Sequence, residues 1–277
     1  MSSLYKDYNK SSKDLLTKGF NVGGEWRIED NSKASKGTYA ISTNCNSRGD
    51  VKVDIESLSA SGAYYGMLSV TPKDYSAIKA TIRAENIQNH RVEAIVSHKG
   101  KSPDAVSVEV SHQTVTPLAG GRLSINDKVT QKTVELALSM TAVDDLQVGC
   151  GTKFDLKSKT MDWSVACRLA GKNGLVLTAQ TNQLRSFTAD VFANAPLHPR
   201  FRPWVTAAVT VNPQFKTWDG SLALEWGCQL IQGNRAKVRI HKNLDWAVAY
   251  IASLHGGWTL SLSLDKSMKT GLTLTHS

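Results

Sequence analysis

An alternation of polar and apolar side chains, which runs from residue 24 to the C-terminal end, is the feature that most constrains the fold of this chain. In Trp258–Asp265, a tryptophan and three leucines occupy one phase, while a threonine, two serines and an aspartate occupy the other. Successive side chains of a β-strand point to opposite faces, so this period of two predicts strands with one apolar and one polar face. No apolar run approaches the ~18 residues of a transmembrane helix, which excludes a helical membrane protein.

The alternating segments number about 19, and short connections rich in Gly, Asn, Asp, Pro and Lys separate them. Their predicted bounds are 24–30, 37–45, 50–57, 63–71, 76–85, 90–98, 104–112, 119–127, 132–141, 145–155, 160–169, 173–181, 185–193, 201–211, 218–230, 235–241, 244–253, 258–265 and 269–276. A strand with its turn takes roughly 13 residues, and a tilted membrane strand needs about 9–11 of them. No linker divides the segments, so we expect residues 24–277 to form one β-domain after a distinct N-terminal segment, residues 1–23.

The polar face of several segments carries full charges in the middle of the strand, such as Lys52 and Asp54 in one segment and Lys237 and Arg239 in another. A closed meander has an inner and an outer face, and nineteen strands enclose a lumen too wide for side chains to fill. If the charges face a water-filled lumen, the apolar stripe faces outward and needs lipid. The pattern therefore favours a transmembrane β-barrel, with a soluble all-β protein as the alternative. In Trp258–Asp265 we expect the leucines to face outward and the serines and aspartate to face the lumen.

The four cysteines share the apolar phase of their segments, at positions Cys45, Cys150, Cys167 and Cys228. They are widely separated, without a CxxC pair or a ligand-like spacing to histidine. This placement predicts buried, reduced thiols rather than disulfides or a metal site.

Sequence motifs for catalysis and for export are missing. The chain contains no GxSxG, HExxH or phosphate-binding loop, and its seven histidines stand singly in strands or turns, so we expect no enzyme activity, no cofactor and no metal. Residues 1–20 lack the apolar core of a secretory signal, and Asp7 and Asp14 interrupt any acid-free transit peptide. We therefore expect synthesis in the cytosol without secretory export.

The N-terminal segment follows a different period. Leu4, Tyr8 and Leu15 recur at helical spacing, and charged side chains cover much of the remaining surface, which predicts a short amphipathic helix over residues 4–18. Three glycines predict the end of this helix and a hinge before the first strand: Gly19, Gly23 and Gly24. An isolated helix of this length is marginal, so it needs a surface on which to dock.

Residues 5–20 read Tyr-Lys-Asp-Tyr-Asn-Lys-Ser-Ser-Lys-Asp-Leu-Leu-Thr-Lys-Gly-Phe and resemble, without gaps, the N-terminal helix of the mitochondrial voltage-dependent anion channels, the eukaryotic porins. The C-terminal residues 269–276 resemble the sorting signal of mitochondrial barrel proteins. Its polar, glycine and apolar positions fall on Lys269, Gly271 and Leu274, while His276 stands where the signal has a second apolar residue. The resemblance implies an all-β fold: a 19-stranded transmembrane β-barrel with a short amphipathic α-helix inside the pore.

The same resemblance implies a function. It indicates a voltage-gated, weakly anion-selective diffusion pore that passes small metabolites and ions, including ATP, ADP and phosphate, as an integral, multi-pass protein of the mitochondrial outer membrane. The composition agrees, because 33 Lys and Arg against 24 Asp and Glu give a net charge of +9, and a positive lumen concentrates anions.

The helix lysines are the best candidates for nucleotide contact and anion selectivity: Lys10, Lys13 and Lys18. A lysine ammonium acts as a point charge for phosphate, and the glycine hinge could let the helix move and alter conductance. The resemblance alone further suggests NAD contact at Leu244, Asp245, Trp246, Ser261, Leu262, Ser263, Leu264 and Asp265.

The expected partners are the lipids of the mitochondrial outer membrane, anionic metabolites such as ATP and ADP, and either further copies of the chain or other outer-membrane complexes; nucleic acid is not expected. Two alternative functions remain. The protein-conducting barrel of the outer-membrane translocase would favour an acidic lumen, which the charge of +9 disfavours. A soluble basic β-protein could bind nucleic acid at a pI of about 9.3, but its basic residues are spread over all strands without a clustered stripe.

Overall fold

The computed structural model describes residues 5–87, 89–98, 105–118, 121–143, 145–197, 201–228 and 231–276, and in these ranges the chain forms a closed β-barrel of nineteen strands. The strands are β1 Trp26–Asp30, β2 Tyr39–Asn46, β3 Val51–Leu58, β4 Tyr64–Thr71, β5 Asp74–Ile87, β6 His90–His98, β7 Val106–Leu118, β8 Gly121–Thr130, β9 Thr133–Val143, β10 Leu146–Asp155, β11 Met161–Ala170, β12 Val176–Asn182, β13 Ser186–Asn194, β14 Trp204–Asn212, β15 Thr217–Gly227, β16 Arg235–His241, β17 Trp246–Ser253, β18 Trp258–Asp265 and β19 Thr270–His276.

The barrel closes between its first and last strands. Consecutive strands pair antiparallel throughout, and an odd number of alternating strands leaves β1 and β19 running in the same direction. These two strands accordingly pair in parallel, from Trp26 opposite Leu272 to Asp30 opposite His276, a ladder of five residue pairs. Each of the nineteen described strands thus pairs with a neighbour on both sides, and exposed strand edges are a known site of unwanted pairing with other chains.

The predicted fold is confirmed, and each of the nineteen predicted segments contains a strand. Most predicted bounds lie within three residues of the observed ones. The largest difference is in β7, which was predicted to end at residue 112 and continues to Leu118. His112 and Thr114 interrupt the apolar side chains of this strand, but its backbone pairing with β8 continues to Leu118. The predicted strand ends at residues 104, 119–120 and 229–230, the helix position Leu4 and the terminal residue 277 lie outside the described residues.

The two faces of the wall have the predicted chemistry. In β18, Leu262 is 45% exposed on the outer surface, whereas Ser261 and Ser263 beside it are 7% and 5% exposed on the lumenal side. The same alternation places valine, leucine, isoleucine and aromatic side chains outward along most strands and serine, threonine and charged side chains inward. The apolar face therefore surrounds the barrel, and the polar face lines its lumen.

The prediction that the cysteines are buried is wrong. Cys150 and Cys167 are exposed, and Cys45 and Cys228 are partly exposed, all four as free thiols. They do share the apolar phase, but in a barrel that phase is the outer surface of the protein and not its core.

The N-terminal segment lies against the inner wall, where it contacts β9, β10 and β13–β15. Residues Tyr5–Asp7 form a 3₁₀ turn, and Lys10–Thr17 form the α-helix α1. The predicted helix over residues 4–18 is thus shorter than expected, because Asn9 adopts non-helical φ and ψ angles of −101° and 16° at the N-cap. Among the described helices, none is long and apolar enough to cross a membrane.

Candidate pore and its N-terminal helix

One narrow face of the N-terminal segment is buried against the barrel wall. Tyr8, Ser12 and Leu15 are 3%, 3% and 5% exposed, and their spacing of four and three residues places them on one side of the chain. The three lysines predicted to contact anions, Lys10, Lys13 and Lys18, are all exposed. The helix therefore docks through a small, partly polar face and leaves its lysines toward the lumen.

Two tyrosines anchor the start of the segment. The hydroxyl of Tyr5 donates to Ser164 Oγ at 2.6 Å, and the hydroxyl of Tyr8 shares a 2.6 Å hydrogen bond with Ser139 Oγ. Two glycines of β10 make room for the rings: a Cβ at Gly149 would lie 2.6 Å from Tyr5 Cδ2, and one at Gly151 would lie 2.9 Å from Tyr5 Cε1. Burial raises the pKa of both phenols above their ordinary value of 10.0, and the serine hydrogen bonds only partly offset this effect.

The middle of α1 is held by hydroxyl groups. Ser12 Oγ lies 2.6 Å from Thr206 Oγ1, which also donates to the carbonyl of Val191 at 2.8 Å and is fully buried. The carboxylate of Asp190 is 7% exposed under the helix, beside Ser12 and Thr178. The contact between Ser12 and Thr206 joins the helix to a wall strand 194 residues away in sequence.

Two cations of β16 bind the C-terminal end of the helix. Lys237 Nζ donates to the carbonyl of Lys18 at 2.9 Å, and Arg239 Nη1 donates to the carbonyl of Leu16 at 3.0 Å. The last carbonyls of a helix have no partner within it and carry partial negative charge, so cations there are favourable. The guanidinium of Arg239 also lies 4.6 Å from the ring centre of Phe20.

The glycine-containing linker then follows β18 before it enters β1. Ser261 Oγ donates to the carbonyl of Gly19 at 2.7 Å, Ser263 hydrogen-bonds to Asn21, and the amide of Gly23 donates to Asp265 Oδ2 at 2.9 Å. Three positions predicted to contact NAD thus contact the linker, and Ser261 also lines a cavity beside it.

The other positions predicted for NAD contact lie apart from the linker. Leu262 and Leu264 face outward, Leu244 is exposed in a turn with Asp245, and Trp246 begins β17. NAD contact at the whole set stays a prediction.

The hinge glycines and the predicted sorting residues meet at this linker. Gly19, Gly23 and Gly24 have φ angles of +82°, +91° and +80°, which L side chains rarely adopt. A Cβ at Gly271 would overlap the carbonyl oxygen of Asn21. The missing side chain of this glycine therefore lets the linker pack directly against the inner surface of β19.

The remaining sorting residues are spread over the end of the chain. Lys269 is exposed, Leu274 lies on the outward phase, and His276 Nδ1 lies 3.2 Å from Asp30 Oδ1 across the seam between β1 and β19. Their role in sorting stays a prediction.

A cavity of about 900 Å³ separates the C-terminal half of α1 from the wall. Basic, acidic and aromatic side chains line it: Lys18, Arg27, Arg235, Lys237, Asp14, Glu29, Glu225, Phe20, Phe192 and Trp204. Several of the charges are paired, since Lys18 Nζ lies 2.8 Å from Asp14, while Arg235 and Lys237 share Glu225 at 3.3 Å each. Two cations on one carboxylate leave this part of the wall positive.

The three helix lysines do not converge on one cavity. Lys18 lines the 900 Å³ cavity, Lys13 lines a neighbouring one of about 370 Å³ with Arg239, and Lys10 is exposed in the first turn of the helix. At a rise of about 1.5 Å per residue, they span ~12 Å along the lumen. They therefore form a row of positive charges, not a single binding site.

Sequence reasoning missed the wall residues that hold the helix. Gly149, Gly151, Ser139 and Ser164 are small residues on the polar phase of β9–β11, where bulkier polar residues would also satisfy the alternation. The sequence offered a clue in Arg235, Lys237 and Arg239. Three positive charges on the same face of one strand need acceptors nearby, and the helix carbonyls provide some of them.

No protein-family model matches this chain, and a comparison with curated protein sequences finds no match. By its fold, the protein is an all-β, porin-like barrel with a cationic helix against its inner wall.

Proposed function

We propose that the chain is a voltage-gated, weakly anion-selective diffusion pore of the mitochondrial outer membrane, a voltage-dependent anion channel that passes ATP, ADP, phosphate and other small anionic metabolites. The observation that carries this proposal is a helix with three exposed lysines, docked inside the lumen of a 19-stranded barrel. The resemblance of residues 5–20 and 269–276 to that family supports the same function.

The surface of the barrel suits a membrane pore. Its outer face is mostly apolar and its inner face is polar, as a water-filled channel through lipid requires. A soluble protein that bound nucleic acid would instead expose its cations on the outside. Here Lys237, Arg239 and Arg27 all lie on the lumenal phase.

Anion preference follows from the distribution of paired and unpaired charge. On the wall opposite the β16 cations, the lumenal charges form matched pairs, such as Lys153 with Glu135 and Lys128 with Glu109, each at 3.0 Å. Around α1 the positive charges exceed the carboxylates that pair with them. Since low-dielectric walls confine the field, this excess acts on every ion that passes the helix.

Voltage gating follows from how the helix is held. Its contacts are a few hydroxyl and cation hydrogen bonds and one buried leucine, Leu15, not a broad apolar interface. Hydrogen bonds of this kind contribute about 0.5–3 kcal/mol each, so a membrane potential that acts on three lysines can compete with them. The cavity beside the helix has the cations and aromatic rings that a nucleotide phosphate and base require.

Reversal potentials in a planar bilayer with a salt gradient test the proposal. Changing Lys10, Lys13 and Lys18 together to Glu lowers the net charge from +9 to +3, and we expect a loss of anion preference while the barrel still inserts. Low salt sharpens the comparison, because the Debye length is ~10 Å at 0.1 M and ~3 Å at 1 M.

A matched control makes the same change of charge in exposed turns, at Lys132, Lys157 and Lys159. We expect this control to keep most of the anion preference. If the helix variant retained the selectivity of the wild type, the helix would not line the ion path and the proposed pore would be wrong.

A further inference from the structure

Three hydrogen-bonded polar side chains lie on the outer wall, on the neighbouring strands β6, β7 and β8. His112 Nδ1 lies 2.8 Å from Asp127 Oδ1, and His112 Nε2 lies 2.9 Å from His90 Nδ1. His112 and Asp127 are direct register partners on β7 and β8. The three residues, which the sequence presents as separate, thus form a continuous chain, here called the outer relay.

Alternation along the strands places the outer relay on the apolar face. On β7, Glu109 and Ser111 line a lumenal cavity, so His112 shares the outward phase with Val110. Most described outward neighbours on β5–β9 are apolar, and Thr114, opposite His90, adds a neutral hydroxyl; the apolar ones are Ile82, Val92, Val110, Ile125, Val129 and Leu136. The charged groups nearest in sequence belong to the lumenal phase of the same strands: Arg91, Glu93, Glu109 and Lys128.

The relay joins the end of β6 to the middle of β7. His90 is the first residue of β6, next to the turn from β5, whereas His112 lies midway along Val106–Leu118. His98, on the outward phase of β6, and Asp74, the first residue of β5, lie at the opposite ends of those strands. Among the described side chains of the outer face, Asp127 is the only carboxylate in the interior of a strand.

The geometry of the two imidazoles indicates a proton-sharing hydrogen bond and not a common metal ligand. Their ring planes are 19° apart and their centres 5.2 Å apart, which is about the 2.9 Å between nitrogens plus the radii of both rings. The two nitrogens therefore lie near the line that joins the ring centres, so that the lone pair of one faces the N–H of the other. A shared metal ion would require the two nitrogens to point toward a third position.

The chemistry of the groups fixes the direction of each bond. A carboxylate only accepts, so the Nδ1–H of His112 donates to Asp127 and leaves His112 Nε2 as an acceptor. The Nδ1–H of His90 then donates to His112, and His90 Nε2 remains as the basic end of the relay at the rim. With both imidazoles neutral, the relay carries one negative charge.

We propose that the outer relay is a proton-binding site on the surface that faces lipid. Uptake of one proton from water at His90 Nε2 changes its net charge from −1 to 0, because the proton can pass along the two existing hydrogen bonds. No covalent bond between heavy atoms changes, and no electron is transferred. Histidine is the side chain that ordinarily changes its charge between pH 5 and pH 8.

The proposal rests on the proposed function only in that lipid surrounds the outer face. Ionised groups in lipid are unfavourable, and a neutral relay is therefore better accommodated than a charged one. The barrel should resist urea in lipid vesicles better at pH 5.5 than at pH 7.5. Asp127→Asn keeps the shape and an acceptor oxygen but cannot carry the charge, so it should remove this difference.

Nitrogen NMR of ¹⁵N-histidine in the full chain in detergent micelles tests the relay directly. We expect His90 and His112 both to be in the Nδ1–H form at pH 7.5 and to titrate together as one proton is bound. His255, exposed in the turn before β18, is the control and should titrate alone. Asp127→Asn should abolish the joint step and leave His255 unchanged.

Independent titration of His90 and His112, each resembling His255, would overturn the proposal, and so would a joint step that persists in Asp127→Asn. His90→Gln provides a second variant at the rim: His112 should stay in the Nδ1–H form but titrate without a partner. These spectra require only that the barrel is folded, and they do not depend on whether it conducts ions. A failure of the relay is thus separable from a failure of the pore, which is measured in bilayers.

Discussion

Replacing Arg239 with Met tests whether cations of the wall hold the helix in its docked position. The guanidinium donates to the carbonyl of Leu16 at 3.0 Å and lies 4.6 Å from the ring centre of Phe20, so the change removes both interactions with the N-terminal segment. Met keeps most of the length and the apolar stem of the side chain. Arg235→Met is the matched control, because Arg235 lies on the same strand as Arg239 but pairs with Glu225 of β15.

The expected size of the effect follows from these contacts. A hydrogen bond to a charged group contributes about 1.5–3 kcal/mol, and we take ~2 kcal/mol for this partly exposed site. One elementary charge moved through 100 mV corresponds to about 2.3 kcal/mol. If the three helix lysines carry the charge that moves, a loss of ~2 kcal/mol shifts the midpoint voltage of closure by about 30 mV toward zero.

Conductance of single channels in a planar bilayer, recorded as a function of voltage, measures this midpoint. We expect Arg239→Met to close at lower voltage, while Arg235→Met changes selectivity slightly and leaves the midpoint within a few millivolts of the wild type. Equal shifts in both variants would mean that the midpoint reports the charge of the lumen and not the docking of the helix, and the reasoning above would fail.

Three further changes probe the wall and the docked segment. Leu262→Arg should cost roughly 2–4 kcal/mol near the middle of the membrane and reduce insertion into vesicles, whereas Thr273→Arg on the lumenal face should insert normally. Gly149→Val would place a Cβ 2.6 Å from the ring of Tyr5 and should release the N-terminal turn, detected as faster tryptic cleavage in that segment. Burial raises the pKa of Tyr8, so an undocked tyrosine ionises first as the pH rises above 10.0, and docking should weaken there; in Tyr8→Phe a spectroscopic probe on the segment should lose this alkaline dependence.

The strands were predictable because a barrel wall has a polar inner face and a mostly apolar outer face. Each strand then repeats the same two-residue pattern, as in Trp258–Asp265, and the pattern needs no knowledge of the neighbours. The prediction of strand ends failed where polar side chains occupy outward positions of a strand. His112 and Thr114 stand on the outward phase of β7, so the strand was predicted to end six residues too early.

The site was predictable only in part, because its contacts join residues that are distant in sequence. The lysines of α1 could be assigned from the helical period and the resemblance of the N-terminal segment. The partners of the helix could not, since Thr206 or Ser139 looks like any other lumenal hydroxyl until the barrel brings it beside Ser12 or Tyr8. The histidines likewise looked single, because cross-strand neighbours such as His112 and Asp127 are 15 residues apart.

The parallel ladder between β1 and β19 also dictates the order in which the molecule can be assembled. Every other pairing joins strands that follow one another in sequence, so hairpins can form as soon as their two strands are available. The seam instead joins Trp26–Asp30 to residues almost 250 positions later, and it offers only five residue pairs in return for closing that loop. Closure is therefore the last step of folding, and a chain that stalls before it exposes two bare strand edges to its neighbours.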